Sequence, residues 1–359
     1  MIKTKRLLDF FMEAVRIPSP SFREDRFREF LEKTLKPVSH EILSDKTPNG
    51  TSLLVRLNGN PEKKGIVLSA HMDTVEDGLT VINPVIDGNI IWSKNDNVLG
   101  ADNKSTIAVF VEALRVIHEN NLDHRPIDIL FSFAEEKHLS GIRKFNYKLL
   151  RFNDVLLMDN TGEIGGIVTA SPTHYSFTIH ITGKSAHAGL EPEKGDNAIR
   201  KACEVIQNLP QGRLDADTTF NVGMIRAGEA SNIVPSKALV QGEFRSLKKE
   251  RIQEILELFN DLHIRHDFIK VELVQNYQGY SIPENNTLVQ EIIATMKEKG
   301  ISPYFTVSGG GSDANVLRQK GFNAVNLASG MRLPHTSEEQ IYIDDLIKAT
   351  EIVLSYLTK

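Results

Sequence analysis

The opening stretch, MIKTKRLLDFFMEAVRI, spaces its apolar residues with the period of an amphipathic helix, predicted over about 4–16. Ser21-Phe22-Arg23-Glu24 has the form of a capping box and predicts a second helix over about 22–35. GIVLSA (65–70), IDILFSF (127–133) and DVLLM (154–158) are short continuous apolar runs, and a long apolar helix is predicted between the first two, at roughly 103–119. Strands buried on both faces read this way, so this part is an α/β arrangement, a mixed and mostly parallel sheet flanked by helices. From residue 170 the pattern changes. SFTIHITG alternates apolar and polar positions, as a strand with one wet face does. A helix near 196–209, strands near 218–226 and 237–246, a helix near 249–262 and a strand near 268–276 follow. That β-α-β-β-α-β order is the split, ferredoxin-like α+β unit. A helix at 285–299 and a strand–helix–strand run to about 328 resume the first style. The small unit therefore reads as an insertion: residues 1–168 and 279–359 form the two parts of a large domain, and 169–278 the insert.

Composition narrows the classes. The chain has 359 residues, a length that suits two domains. Its 42 basic and 47 acidic residues leave a net charge of -5, which argues against a nucleic-acid partner. No run of about 18 apolar residues exists, so no membrane segment is expected. Asp9 and Glu13 interrupt the N-terminal stretch that could otherwise suggest a signal peptide, and a cytoplasmic protein is expected. The single cysteine, Cys203, permits neither an internal disulfide nor a cysteine-based metal centre. Within DNAIRKACEVIQNL it is expected as a small buried apolar residue.

Ligands of an open α/β sheet bind outside the carboxyl ends of its strands. His71 and Asp73 directly follow GIVLSA, Glu135 and Glu136 follow IDILFSFA, Asp159 follows DVLLM, and His335 lies in the loop after NAVNLA. Asp102, in LGADNKS, opens the long helix. Singly these residues have ordinary explanations: a helix cap for Asp102, a solvated pair for Glu135-Glu136, a turn residue for Asp159, structural histidines at 71 and 335. Their shared placement does not, because several carboxylates buried together without cations are severely unfavourable. Two histidines and three carboxylates can hold two cations about 3.5–4 Å apart when one carboxylate bridges them. His71, Asp102 and Asp159 form one site on this reading, and Asp102, Glu136 and His335 the other. Imidazole nitrogen with carboxylate oxygen suits Zn²⁺, with Co²⁺ or Mn²⁺ as substitutes. Asp73 can accept the second ring N–H of His71. Glu135 remains to take a proton from a bridging water and pass it to a leaving amine.

HMDTV, LGADNKS, the glutamate pair, Asp159, GKSAHAG, ASNIVP, GEFRS and SGGGSDANVL followed by RLPHT together resemble the di-zinc exopeptidases, the family of tripeptidase T, aminoacylase, carboxypeptidase G and succinyl-diaminopimelate desuccinylase. The resemblance runs in order from the first helix to about residue 345 and points to the tripeptidase T branch. It implies the same ligands and base, two zinc ions and a short peptide substrate cut at its N-terminal bond by a metal-bridging hydroxide. It also implies that the insert is a lid and a homodimerisation domain. His187, in GKSAHAG, matches a histidine that stabilises the tetrahedral oxyanion, in dimeric relatives across to the partner's site. Asn232 and Arg245 match residues that bind the substrate's backbone or terminal carboxylate, a task suited to a planar guanidinium. Aspartate at 159 goes with aminopeptidase and aminoacylase-like members, glutamate with carboxypeptidases. The chain departs from the pattern at Asn103, where a second aspartate is usual. Ser105-Thr106 replaces small Ala and Gly, and Lys137-His138 an apolar residue and Gly.

Other readings compete. An amidase acting on N-acyl amino acids uses the same site residues. A metal-dependent binding protein without turnover has no need of Glu135 or Asp73. Gly309 to Ala314 fits G-x-G-x-x-A, but the next strand offers Asn326 where a dinucleotide fingerprint wants an acid. These glycines suit close backbone approach to substrate, with a helix N-terminus facing an anionic group.

Overall fold

The helix Thr4–Arg16 buries Leu7, Phe10, Phe11, Ala14 and Val15 on the stripe that its period sets out. That stripe packs on the helix Ala101–Glu119, whose residues are buried nearly all round because Ile343–Thr358 covers another side. In this computed structural model, which describes residues 1–76, 78, 81–94 and 96–359, the chain forms two compact units. The larger comprises Met1–Ala170, Ser281–Ser308 and Ser312–Lys359, the smaller Ser171–Tyr280 with Gly309–Gly311.

The large unit's sheet runs in the spatial order Glu41–Thr47, Gly50–Leu57, Ile127–Ser132, Ile66–His71, Asp154–Asn160, Asn323–Ala328, Gly166–Ser171, with Tyr304–Val307 also paired to the last. The three apolar runs form its centre as parallel neighbours, and the Glu41–Leu57 hairpin joins antiparallel at one side. Register decides where the chemistry lies. His71 pairs with Ser132 and Ser69 with Leu157, so the chain leaves these strands at one edge. The second helix starts at Asp25, not near 22, and its capping box is not made. Ser21 and Glu24 instead serve the candidate site described below.

In the small unit four long strands form an antiparallel sheet in the order Thr218–Ala227, Lys237–Ser246, Thr173–Thr182, Ile269–Tyr277, with short Gly212–Asp215 at one edge. This is the expected β-α-β-β-α-β arrangement. Helices Ala198–Asn208 and Lys249–Arg265 cover one face, over a core that includes Phe177, Phe220, Phe244 and Phe259. Cys203 is exposed, contrary to expectation. The buried stripe of its helix runs through Ala198, Ala202 and Val205, and Cys203 lies a third of a turn off it. Among the described residues, no helix is long and apolar enough to cross a membrane.

Candidate metal centre

The six residues placed after strands by the sequence, and Asp102 at the start of the long helix, all belong to the large unit. His71 ends its strand and is 2% exposed. Its Nε2 lies 3.0 Å from Asp102 Oδ1 and 3.6 Å from Asp159 Oδ1. Asp102 turns its other oxygen to His335, whose Nε2 is 3.4 Å from Oδ2 and 2.8 Å from Glu136 Oε1. One carboxylate thus faces two separate His-carboxylate pairs. Single ligand atoms of His71, Asp102 and Glu136 all lie within 4.8 Å of one another. Imidazole nitrogens and carboxylate oxygens make a donor set that suits divalent cations, zinc among them, and Asp102 stands between the two His-carboxylate pairs.

The electrostatics ask for positive charge. Burial raises the Asp159 carboxyl to about 7 despite its contact with His71. Burial also raises Glu135 and Glu136, with neighbouring carboxylates adding to it. Hydrogen bonds to Asp102 and Glu136 lift His335 to about 10, and carboxylate contacts outweigh burial to raise His71 as well. Burial works against ionising Asp102, yet the two histidines hold it well below the usual carboxylate range. These are the marks of acids packed more densely than their own side chains can neutralise.

Asp73 is fully buried and does more than was expected of it. His71 Nδ1 is 2.9 Å from its main-chain oxygen and 3.4 Å from Oδ1. The carboxylate accepts the backbone N–H of Glu135 (2.9 Å), that of Glu136 (3.1 Å) and the Ser21 hydroxyl (2.7 Å). Asp73 therefore aims the glutamate pair as well as the histidine. Glu24 fixes the same turn by accepting the N–H groups of Phe22 (2.8 Å) and Ala134 (2.9 Å). The S-x-x-E pattern at 21–24 is real, but the acidic site, not a helix end, uses it.

Three more positioning residues escaped sequence reasoning. The Glu339 carboxylate accepts from Gly100 N–H (2.7 Å) and Asp102 N–H (3.0 Å), fixing the turn that presents the bridging carboxylate. Asn326 accepts from Asp159 N–H at 2.8 Å and donates to Asp159 O at 3.1 Å. Its signal was in view: a polar residue inside the apolar run NAVNLA needs a buried partner. Asn103 Nδ2 donates to Asp159 Oδ1 at 2.7 Å, a bond the usual aspartate could make only when protonated. Lys137 is exposed, and His138 takes φ +59, a left-handed backbone that favours the glycine expected from the family resemblance.

The three substrate-contact candidates lie in the small unit. His187 is on a two-stranded ribbon, Ala186–His187 against Ile233–Val234, and Asn232 O accepts from Ala188 N–H at 3.0 Å, so His187 and Asn232 are neighbours. Gly189 N–H donates to His187 Nδ1 at 3.1 Å. In the neutral ring the proton then sits on Nε2, which an oxyanion donor requires. Arg245 lies elsewhere, on the main sheet, in the strand Lys237–Ser246.

Residues 169–267 match the M20 peptidase dimerisation domain, and 52–208 match peptidase family M28. The chain is 31% identical to YqjE of Bacillus subtilis over 99% of each chain. It is 32% identical to aminopeptidase PepT of Bacillus cereus, covering 99% of this chain and 98% of that one, with a TM-score of 0.87. A tripeptidase of Staphylococcus aureus is 29% identical over 100% and 98% of the two chains, with a TM-score of 0.93.

Proposed function

The chain belongs to the M20 family of metal-dependent peptidases, and on that footing we propose that it releases the N-terminal residue of short peptides. The observation that carries the reading is the division of Asp102's two oxygens between two ligand pairs, with Glu135 beside them on the turn that Asp73 holds. Whole-length likeness to an aminopeptidase and a tripeptidase supports N-terminal cleavage, as does aspartate at 159. His71, Asp102 and Asp159 would hold one zinc ion, and Asp102, Glu136 and His335 the other, with Co²⁺ or Mn²⁺ as substitutes. When bound, such a pair supplies Lewis acidity and lowers the pKa of water toward neutrality.

The side chains do the rest. Glu135, carrying no ligand duty, takes the proton of the attacking water and delivers it to the departing amine. His187 donates from Nε2 to the carbonyl oxygen as charge develops there. Asn232 and Arg245 bind the peptide's backbone and terminal carboxylate. We further propose a homodimer through the small unit, supported by the dimerisation-domain match, and a cytoplasmic location, supported by the single cysteine.

Turnover after loading with Zn²⁺, Co²⁺ or Mn²⁺ tests the substrate on free tri- and dipeptides, N-blocked peptides and N-acetyl amino acids, with products identified by mass. Release of the first residue from free-amine peptides alone is expected. Cleavage of the N-acyl compounds alone would move the protein to the amidase reading. Glu135→Gln should keep both metals and lose turnover by about 10²–10⁴-fold. Retained activity would remove Glu135 as the base.

A further inference from the structure

Strand alternation sorts the residues around Arg245. Phe244 points into the aromatic core, so Glu243 and Arg245 share the opposite face of the sheet. Arg245 pairs with His174 on the next strand, and His174 pairs with Tyr277 on the one beyond. These three strands thus set an arginine, a glutamate, a histidine and a tyrosine on one patch.

The contacts there are specific. Glu243 takes the side edge of the guanidinium, Nε to Oε1 at 3.0 Å and Nη2 to Oε2 at 3.2 Å. His174 Nε2 lies 3.0 Å from the same Oε2, and its ring, 4% exposed, meets Tyr277 edge-on at 5.1 Å. Arg245 Nη1 donates to Gly309 O at 3.3 Å. Tyr277 in turn packs on Gly311, where an added Cβ would sit 2.4 Å from the ring. Glycine at 311 thus lets the backbone close on the tyrosine ring. Three of the five guanidinium N–H groups are taken, leaving one on each terminal nitrogen.

We propose that His174 and Glu243 are positioning residues that lock the Arg245 guanidinium so that its terminal nitrogens meet the α-carboxylate of the peptide substrate end-on. This rests on the reading of Arg245 as the group that recognises that carboxylate. A free arginine side chain would lose rotamer freedom on binding, and holding it beforehand removes that loss. His174 and Arg245 keep Glu243 ionised by holding its carboxyl down to about 2. Because Glu243 already neutralises the arginine, recognition depends on the direction of the fork more than on long-range charge. Lysine could not replace Arg245 on these terms.

The test compares a free tripeptide with its C-terminal amide in the metal-loaded enzyme. Arg245→Ala should raise KM for the acid by about tenfold or more, the size of losing charge-assisted hydrogen bonds. His174→Leu and Glu243→Ala should raise KM for the acid by about tenfold. In the His174 and Glu243 variants KM for the amide should move less than twofold, and its turnover reports that the variant is folded. His174→Gln, which keeps a donor for Glu243, should recover part of the loss. A salt bridge that only braced the sheet would move acid and amide together or not at all, and either result overturns the positioning role. If Arg245→Ala leaves the preference for the acid intact, the recognition reading itself fails, and the positioning role with it.

Discussion

Glu24 shows how one buried acid can be shared between fold and chemistry. Burial, then the nearby charge of Asp73, pushes its carboxyl up to about 7. The folded chain therefore holds this proton more tightly than the unfolded chain, where glutamate titrates near about 4.3. Stability from this group is complete below the unfolded value and falls as pH rises through the window up to about 7. Glutamine keeps an oxygen for the Phe22 and Ala134 N–H groups but cannot ionise. In EDTA, the parent's unfolding free energy in urea should fall between pH 5 and 8. Glu24→Gln should flatten that fall by on the order of 1–3 kcal/mol. Parallel profiles would mean that Glu24 is not strained by its charge. The gathering of His71, Glu136 and Asp159 was legible because each follows an apolar run. Ser21, Glu24 and Glu339 were not, because a short-range pattern cannot tell a helix cap from an acid or hydroxyl turned toward a distant loop.

At the scale of elements, the turn carrying Glu135 and Glu136 is clamped from outside by the short helix Ser140–Lys144. Gly141 lies so close to the strand end that an added Cβ would stand 1.9 Å from Phe133 O. Gly141→Ala must push the helix or the turn aside. Overpacking of this kind costs typically about 1–3 kcal/mol. Thermal unfolding should register that loss, and kcat should fall in enzyme whose metal content is unchanged. Full activity with full metal would show that the turn's position is set by Asp73 and Glu24 without the helix. The inner strands were legible because they are continuous apolar runs. The hairpin Glu41–Leu57 and the small sheet of Pro84–Asp87, Ile90–Ser93 and Gln340–Tyr342 were not. Glu41–Thr47 has no buried position, the small sheet mixes buried with exposed or half-buried ones, and pairing partners as far apart as Trp92 and Gln340 leave no local signal.

Over the whole molecule, the division into two units separates two sources of stability. Every proposed ligand belongs to the large unit, whereas the small unit is held by its own apolar core, where Phe177 lies 5.1 Å from Phe220 and 4.9 Å from Phe259. A metal that binds only the folded state adds RT ln(1 + [L]/Kd), about 4 kcal/mol at a thousand times Kd. That gain should fall on the unit that holds it. Removing the metals with a chelator should therefore lower amide protection in Ile66–His71, Ile127–Ser132 and Asp154–Asn160. It should leave Thr173–Thr182 and Lys237–Ser246 as protected as before. The effect should grow above pH 7, where Asp159 loses the proton that burial helps it keep and the clustered acids repel without compensation. Hydrogen exchange read by mass, with and without metal, distinguishes this from equal loss in both units. Equal loss would mean that the metals stabilise one cooperative whole, and that the small unit does not stand on its aromatic core alone.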